Sequence, residues 1–87
     1  MTTEQIPAQR TATVRFFAAA QEAVGQDAMT TDAETLGALK TALLAQHPAL
    51  TGILPRCAVL VDGARVDDDF ALTGAQTIDV LPPFAGG

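Results

Sequence analysis

Few side chains in this sequence could do chemistry: one histidine (His47), one cysteine (Cys57), one lysine (Lys40) and an acidic run, Asp67-Asp68-Asp69. His47 has no second histidine to complete a metal set or a proton relay. It stands before Pro48 in what reads as a last helical turn, where an imidazole interacts with the helix C-terminus. Cys57 opens an apolar run and reads as a small buried hydrophobe; the alternative, a persulfide-carrying thiol, lacks neighbours that clearly lower a thiol pKa. The three aspartates lack the spacing and the glycine of a calcium loop and read as a solvated acidic loop. No Walker-type or dinucleotide glycine pattern occurs.

What remains is the end of the sequence, Leu81-Pro82-Pro83-Phe84-Ala85-Gly86-Gly87. An apolar strand, Ile78 to Leu81, runs into two prolines, which end it and hold the chain extended. Phe84 is the only large side chain past that point, and Ala85, Gly86 and Gly87 form an arm with almost no bulk. Glycine lets a backbone pass through a channel too narrow for a Cβ atom. The α-carboxylate of Gly87 on such an arm is the candidate reactive group. A carboxylate is a poor acyl donor until its oxygen becomes a leaving group. A partner enzyme using ATP and Mg²⁺ would have to adenylate it, after which the acyl group accepts sulfur or an amine. This chain would then be a substrate, regenerated in each round, with no metal site and no cofactor of its own.

Composition narrows the setting. Eighty-seven residues make one small domain, and 48% hydrophobic content is adequate for a single core, although much of it is alanine. No apolar run approaches a membrane span, and Met1 to Gln5 lacks the basic and apolar regions of a secretory signal. A single cysteine cannot form an internal disulfide, which fits a reducing cytoplasm. The net charge is −5 and the five basic residues are scattered, so nothing resembles a nucleic-acid footprint. An acidic surface instead suits encounter with a basic protein face. Lys40 and the N-terminus are the only amines on offer as acceptors for conjugation.

The elements that would position the arm follow from periodicity. Residues 1–11 read as a flexible extension. Ala12, Val14 and Phe16 alternate as one face of a first strand, and Phe16-Phe17 sends one ring to each face. Ala18 to Val24 is a short helix closed by Gly25, and Gln26 to Thr31 a weak strand. Leu36, Leu39, Leu43 and Leu44 form the stripe of the main helix. Its start is either a capping box, Thr31-Asp32-Ala33-Glu34, or an N-cap at Thr35, and Pro48 ends it. Cys57 to Asp62 reads as a central strand covered on both faces, Asp62-Gly63 as a tight turn, and Ala64 to Val66 as a short return strand. Phe70 and Leu72 tuck in before the last strand, Gln76 to Leu81, which is central. The class is α+β: a mixed sheet of about five strands, one long helix across it, and a short helix after the first strand.

Val14-Arg15-Phe16-Phe17-Ala18, then Glu22, Val24-Gly25 and Asp27-Ala28, the leucine-striped helix and the Pro82 to Gly87 ending together resemble the MoaD/ThiS ubiquitin-like sulfur carriers. The likeness is to the MoaD type, the small subunit of molybdopterin synthase, and runs from about residue 12 to 87. It implies a β-grasp domain over 12–81 with 82–87 as the reactive tail. It also implies a cycle in which an E1-like adenylyltransferase (MoeB/ThiF-type) activates Gly87. A sulfurtransferase or cysteine desulfurase relay then converts it to a thiocarboxylate. The tail enters a MoaE-type large subunit and gives sulfur to precursor Z, forming the molybdopterin dithiolene. On this resemblance Gly86 permits passage through the partners' channels, and Pro82, Pro83, Phe84 and Ala85 set the arm's exit and contacts. Two features depart from the pattern: the extension before residue 12, and Phe84 where smaller residues such as valine are common. A carrier for thiamine, cysteine or secondary-metabolite sulfur, and a ubiquitin-like protein modifier, share the same terminal chemistry and stay open as alternatives.

Overall fold

A computed structural model of the chain describes residues 11–83. Strand β1 (Ala12–Phe16) is followed by helix α1 (Ala18–Val24), strand β2 (Ala28–Thr31) and helix α2 (Leu36–Gln46). Two short 3₁₀ turns, Pro48–Leu50 and Leu54–Arg56, lead to β3 (Ala58–Val61), β4 (Ala64–Arg65) and β5 (Thr77–Leu81). The sheet order is β2-β1-β5-β3-β4, with β5 parallel to β1 and antiparallel to β3. This is the mixed five-stranded sheet that the periodicities predict, with the last strand in the middle.

One face of the sheet carries the core. Ala12, Val14 and Phe16 of β1, Ile78 and Val80 of β5 and Val61 of β3 are buried against Leu36, Leu39 and Leu43 of α2. Leu50 and Leu54, presented by the proline-containing 3₁₀ turns, close one side, with Ala20 of α1 and Leu72. Burying a leucine or phenylalanine stabilises by about 1.5–3 kcal/mol, so these positions dominate the fold's favourable energy. Local signals stop the elements where expected. Gly25 ends α1 at φ +86°, its N–H donating to Gln21 O at 2.8 Å. Asp62 and Gly63, at φ +50° and +85°, make the β3–β4 turn, a pair of left-handed residues that glycine tolerates best. Thr35, rather than the Thr31 capping box, caps α2: its Oγ1 accepts from Ala38 N–H at 3.1 Å, while Thr31 Oγ1 accepts from Ala33 N–H in the turn before.

Three expectations change. The Cys57–Asp62 run is not covered on both faces; of β3 only Val61 is buried, and Ala58, Val59 and Leu60 are half-buried. The helices lie on one side of the sheet, so the outward residues Ala58 and Leu60 are shielded only by their strand neighbours. Leu72 is buried, but Phe70 is 38% exposed. The Asp67–Asp69 segment exposes its side chains yet is tied to α2. Asp68 O accepts from Gly37 N–H at 2.7 Å, Phe70 O accepts from Leu36 N–H at 3.1 Å, and Lys40 Nζ pairs with an Asp68 carboxylate oxygen at 2.7 Å. Carbonyls of this loop satisfy N–H groups that the first helical turn leaves unpaired. Gly37 makes the approach possible, since a Cβ there would lie 3.1 Å from both Asp68 Cβ and Asp68 O.

Candidate functional site

The candidate site is the root of the C-terminal segment, and the sheet fixes that root. Thr77 to Val80 pair with Thr13 to Phe16 on one side, and Ile78 to Leu81 with Val61 to Ala58 on the other. Phe17 N–H still donates to Val80 O at 3.3 Å. Beyond Leu81 come Pro82 and Pro83, which have no N–H to continue a ladder, and the strand ends there. Pro82 is half-buried and Pro83 exposed. With Ala19, Gly52, Ile53 and Arg56 they line a shallow, mainly apolar depression of about 180 Å³. The chain therefore leaves a firmly paired central strand over a small apolar seat with one cation, Arg56, at its edge. The other predicted site residues, Phe84, Ala85, Gly86 and Gly87, lie outside the described residues, as do residues 1–10 of the extension.

Next to this root the outer sheet face carries a constellation with no local signal in the sequence. Arg15 and Asp79 are opposite one another in the β1–β5 register. Arg15 Nε donates to Asp79 Oδ1 at 2.7 Å and Nη2 to Oδ2 at 3.0 Å, a two-pronged pair. These bonds, and the attraction between the two charges, push the Arg15 pKa above its ordinary value against a smaller opposing effect of burial. The guanidinium also lies 5.7 Å from the centroid of the Phe17 ring, which is 37% exposed. Phe16 and Phe17 do point to opposite faces, one in the core and one outward.

The other residues singled out from the sequence, His47 and Cys57, lie away from this face. His47 sits just past α2, its backbone N–H donating to Leu43 O at 2.8 Å. Cys57 is half-buried, its thiol donates to Ile53 O at 3.3 Å, and burial pushes its pKa above the ordinary value, away from a reactive thiolate. Among the described residues no three histidine, cysteine or acidic side chains come together as a metal set. No helix among them is long and apolar enough to cross a membrane.

A family model described as the ThiS family matches residues 14–87, from the first strand through the terminal glycines. The chain belongs to the ThiS family. This is a family of ubiquitin-like sulfur carriers and modifiers, and its β-grasp fold is the one built above. No curated protein matches the chain significantly. Among solved structures, the HVO 2177 protein of Haloferax volcanii is 30% identical, with a TM-score of 0.72, covering 97% of this chain and 94% of its own. A chain in the complex of subunits 1 and 2 of the molybdopterin-converting factor from Helicobacter pylori 26695 is 27% identical, with a TM-score of 0.68, covering 88% of this chain and 99% of its own. SAMP1 from Haloferax volcanii, at 24% identity and a TM-score of 0.77, covers 88% of this chain and 99% of its own, and shares the fold.

Proposed function

We propose that this chain is the sulfur-carrying small subunit of a molybdopterin synthase. The observation that carries the reading is the direct passage of a central strand, paired on both sides up to Leu81, into Pro82-Pro83 and then the Phe84-Ala85-Gly86-Gly87 sequence. The 27% identity to a chain of the two-subunit molybdopterin-converting factor supports the assignment to this pathway and to a MoaE-type partner. In the proposed cycle, a Gly87 carboxylate oxygen attacks the α-phosphorus of ATP on an E1-like enzyme, and pyrophosphate leaves. A persulfide sulfur from a relay protein then attacks the acyl carbon and AMP leaves; reductive release by a thiol leaves the thiocarboxylate and a disulfide. ATP and Mg²⁺ belong to the activating enzyme. This chain's contribution is to hold the arm's root rigid and to present little bulk beyond Phe84.

The test has two stages. Intact mass measurement on protein isolated from its native cells should find one C-terminal oxygen replaced by sulfur. The purified thiocarboxylate, mixed with the MoaE-type subunit and precursor Z, should then form molybdopterin. A thiocarboxylate that leaves precursor Z unchanged would move the assignment to another sulfur pathway. Gly87 found in isopeptide linkage to other proteins, with no thiocarboxylate, would make the chain a modifier.

A further inference from the structure

The β2 edge and the groove beside it are unused by the tail chemistry. β2 is the outermost strand, and among the described residues no strand pairs with its far side. Hydrogen-bond parity fixes what that side offers. Phe16 N–H donates to Asp27 O at 2.9 Å, and with the register Val14↔Met29 and Ala12↔Thr31 this turns the backbone groups of Asp27, Met29 and Thr31 toward β1. Ala28 and Thr30 therefore direct their N–H and C=O groups outward. The edge is short, but Ala28-Met29-Thr30-Thr31 contains neither the lysine nor the proline that commonly blocks strand addition.

Alongside this edge, between β2 and α2, lies an open groove of about 290 Å³. Met29, Ala33, Leu39 and Ala42 are its apolar lining, and Asp32 and Gln46 are among the polar residues that share it. Met29 and Ala33 are half-buried, so side chains entering from an added strand would complete their cover. Acidic residues flank the strand, Asp27 before it and Asp32 after it. Among the described residues no basic side chain lines the groove; Lys40 is held by Asp68 and Arg15 by Asp79. A second copy of this chain would bring another net charge of −5 and another pair of aspartates to the same edge. We propose that the β2 edge and its groove dock an extended peptide segment of a partner protein, added as a sixth strand, with alternate apolar side chains in the groove and basic residues beside Asp27 and Asp32. The groove lies by Thr11 and Thr31, at the end of the sheet opposite Leu81, while Asp27, bonded to Phe16, lies at the Leu81 end, two strands away from it.

The test is amide hydrogen exchange by NMR on the full chain. The probe is a synthetic peptide of alternating valine and threonine flanked by lysines, with a glutamate-flanked peptide as control. Saturation with the lysine peptide should slow exchange at Ala28 and Thr30 and leave Met29, already bonded to β1, nearly unchanged. The glutamate peptide should bind at least about tenfold more weakly, the gap narrowing with added salt. Thr30→Pro removes an outward donor without breaking a bond to β1 and should abolish the protection. Should that variant fail to fold, Asp32→Lys should largely remove the preference between the two peptides. No protection at Ala28 and Thr30 under saturation, or equal binding of both peptides by the parent chain, overturns the proposal. So does protection that appears with protein concentration alone, which would mean a second copy, or binding seen only after residues 1–10 are removed, which would make that segment the occupant.

Discussion

Gly86 and Gly87 carry the proposed chemistry, and the buried core among the described residues runs from Ala12 to Val80. Deleting Gly87 should therefore abolish thiocarboxylate formation while the thermal midpoint stays within about a degree of the parent, read by mass spectrometry and calorimetry. Gly86→Ala should slow sulfur transfer by at least about tenfold with an equally unchanged midpoint; equal rates would remove the narrow-channel role of that glycine. Cys57 makes a second prediction. Because burial raises its thiol pKa, iodoacetamide should label it more slowly than a free cysteine at neutral pH, with the rate rising only at higher pH than usual. The linkage has one sign. The folded state holds the thiol proton more tightly than the unfolded state, so this small stabilisation is full below the ordinary thiol pKa and is lost as pH rises through the folded value. The half-buried, unactivated character of Cys57 was legible from residue type and neighbours. The Arg15–Asp79 pair was not, because its partners are 64 residues apart and meet only through the β1–β5 register.

At the scale of elements, α2 shows how local and distant groups share one helix start. Thr35→Ala removes the side-chain cap on Ala38 N–H and should cost about 1 kcal/mol in urea unfolding. Gly37→Ala tests the opposite influence. Alanine favours a helix interior by about 1 kcal/mol, but its Cβ would press on the Asp68 backbone that accepts the Gly37 N–H bond. The loop cannot retreat without losing that bond, so net destabilisation is expected, and a more stable variant would show the loop to be compliant. The leucine stripe, Gly25 and Pro48 marked the helices because each acts within a turn or two of chain. The tie between residues 68–72 and the start of α2 had no such marker. An acidic triplet reads as solvated whether or not its backbone caps a helix, and Phe70 reads as a core residue although the loop's route leaves it outside.

Over the whole molecule, the sequence identified which strands exist and which is central, since Ile78, Val80 and Leu81 are apolar and the run leads to the tail. It misjudged β3, where an unbroken apolar run was read as burial on both faces. With both helices on one side, that run instead leaves Ala58 and Leu60 half-buried on the outer face. The β2–α2 groove was equally hidden, being a gap between elements that only the assembled sheet creates. Leu39→Ala should lower stability by about 2–5 kcal/mol, because the residue is 1% exposed and seats α2 on the sheet.

The placement of β5 also has a mechanical side. A pull on the C-terminal segment acts along β5, which is gripped by β1 and β3 at once. Because β1 and β5 are parallel, tension between the start of the first strand and the end of the last is borne lengthwise. The bonds of that ladder must then yield together under shear; they cannot open one by one like a zip. A pull at Leu81 thus falls on a strand held along both sides, and it loads the sheet without unravelling it from the end.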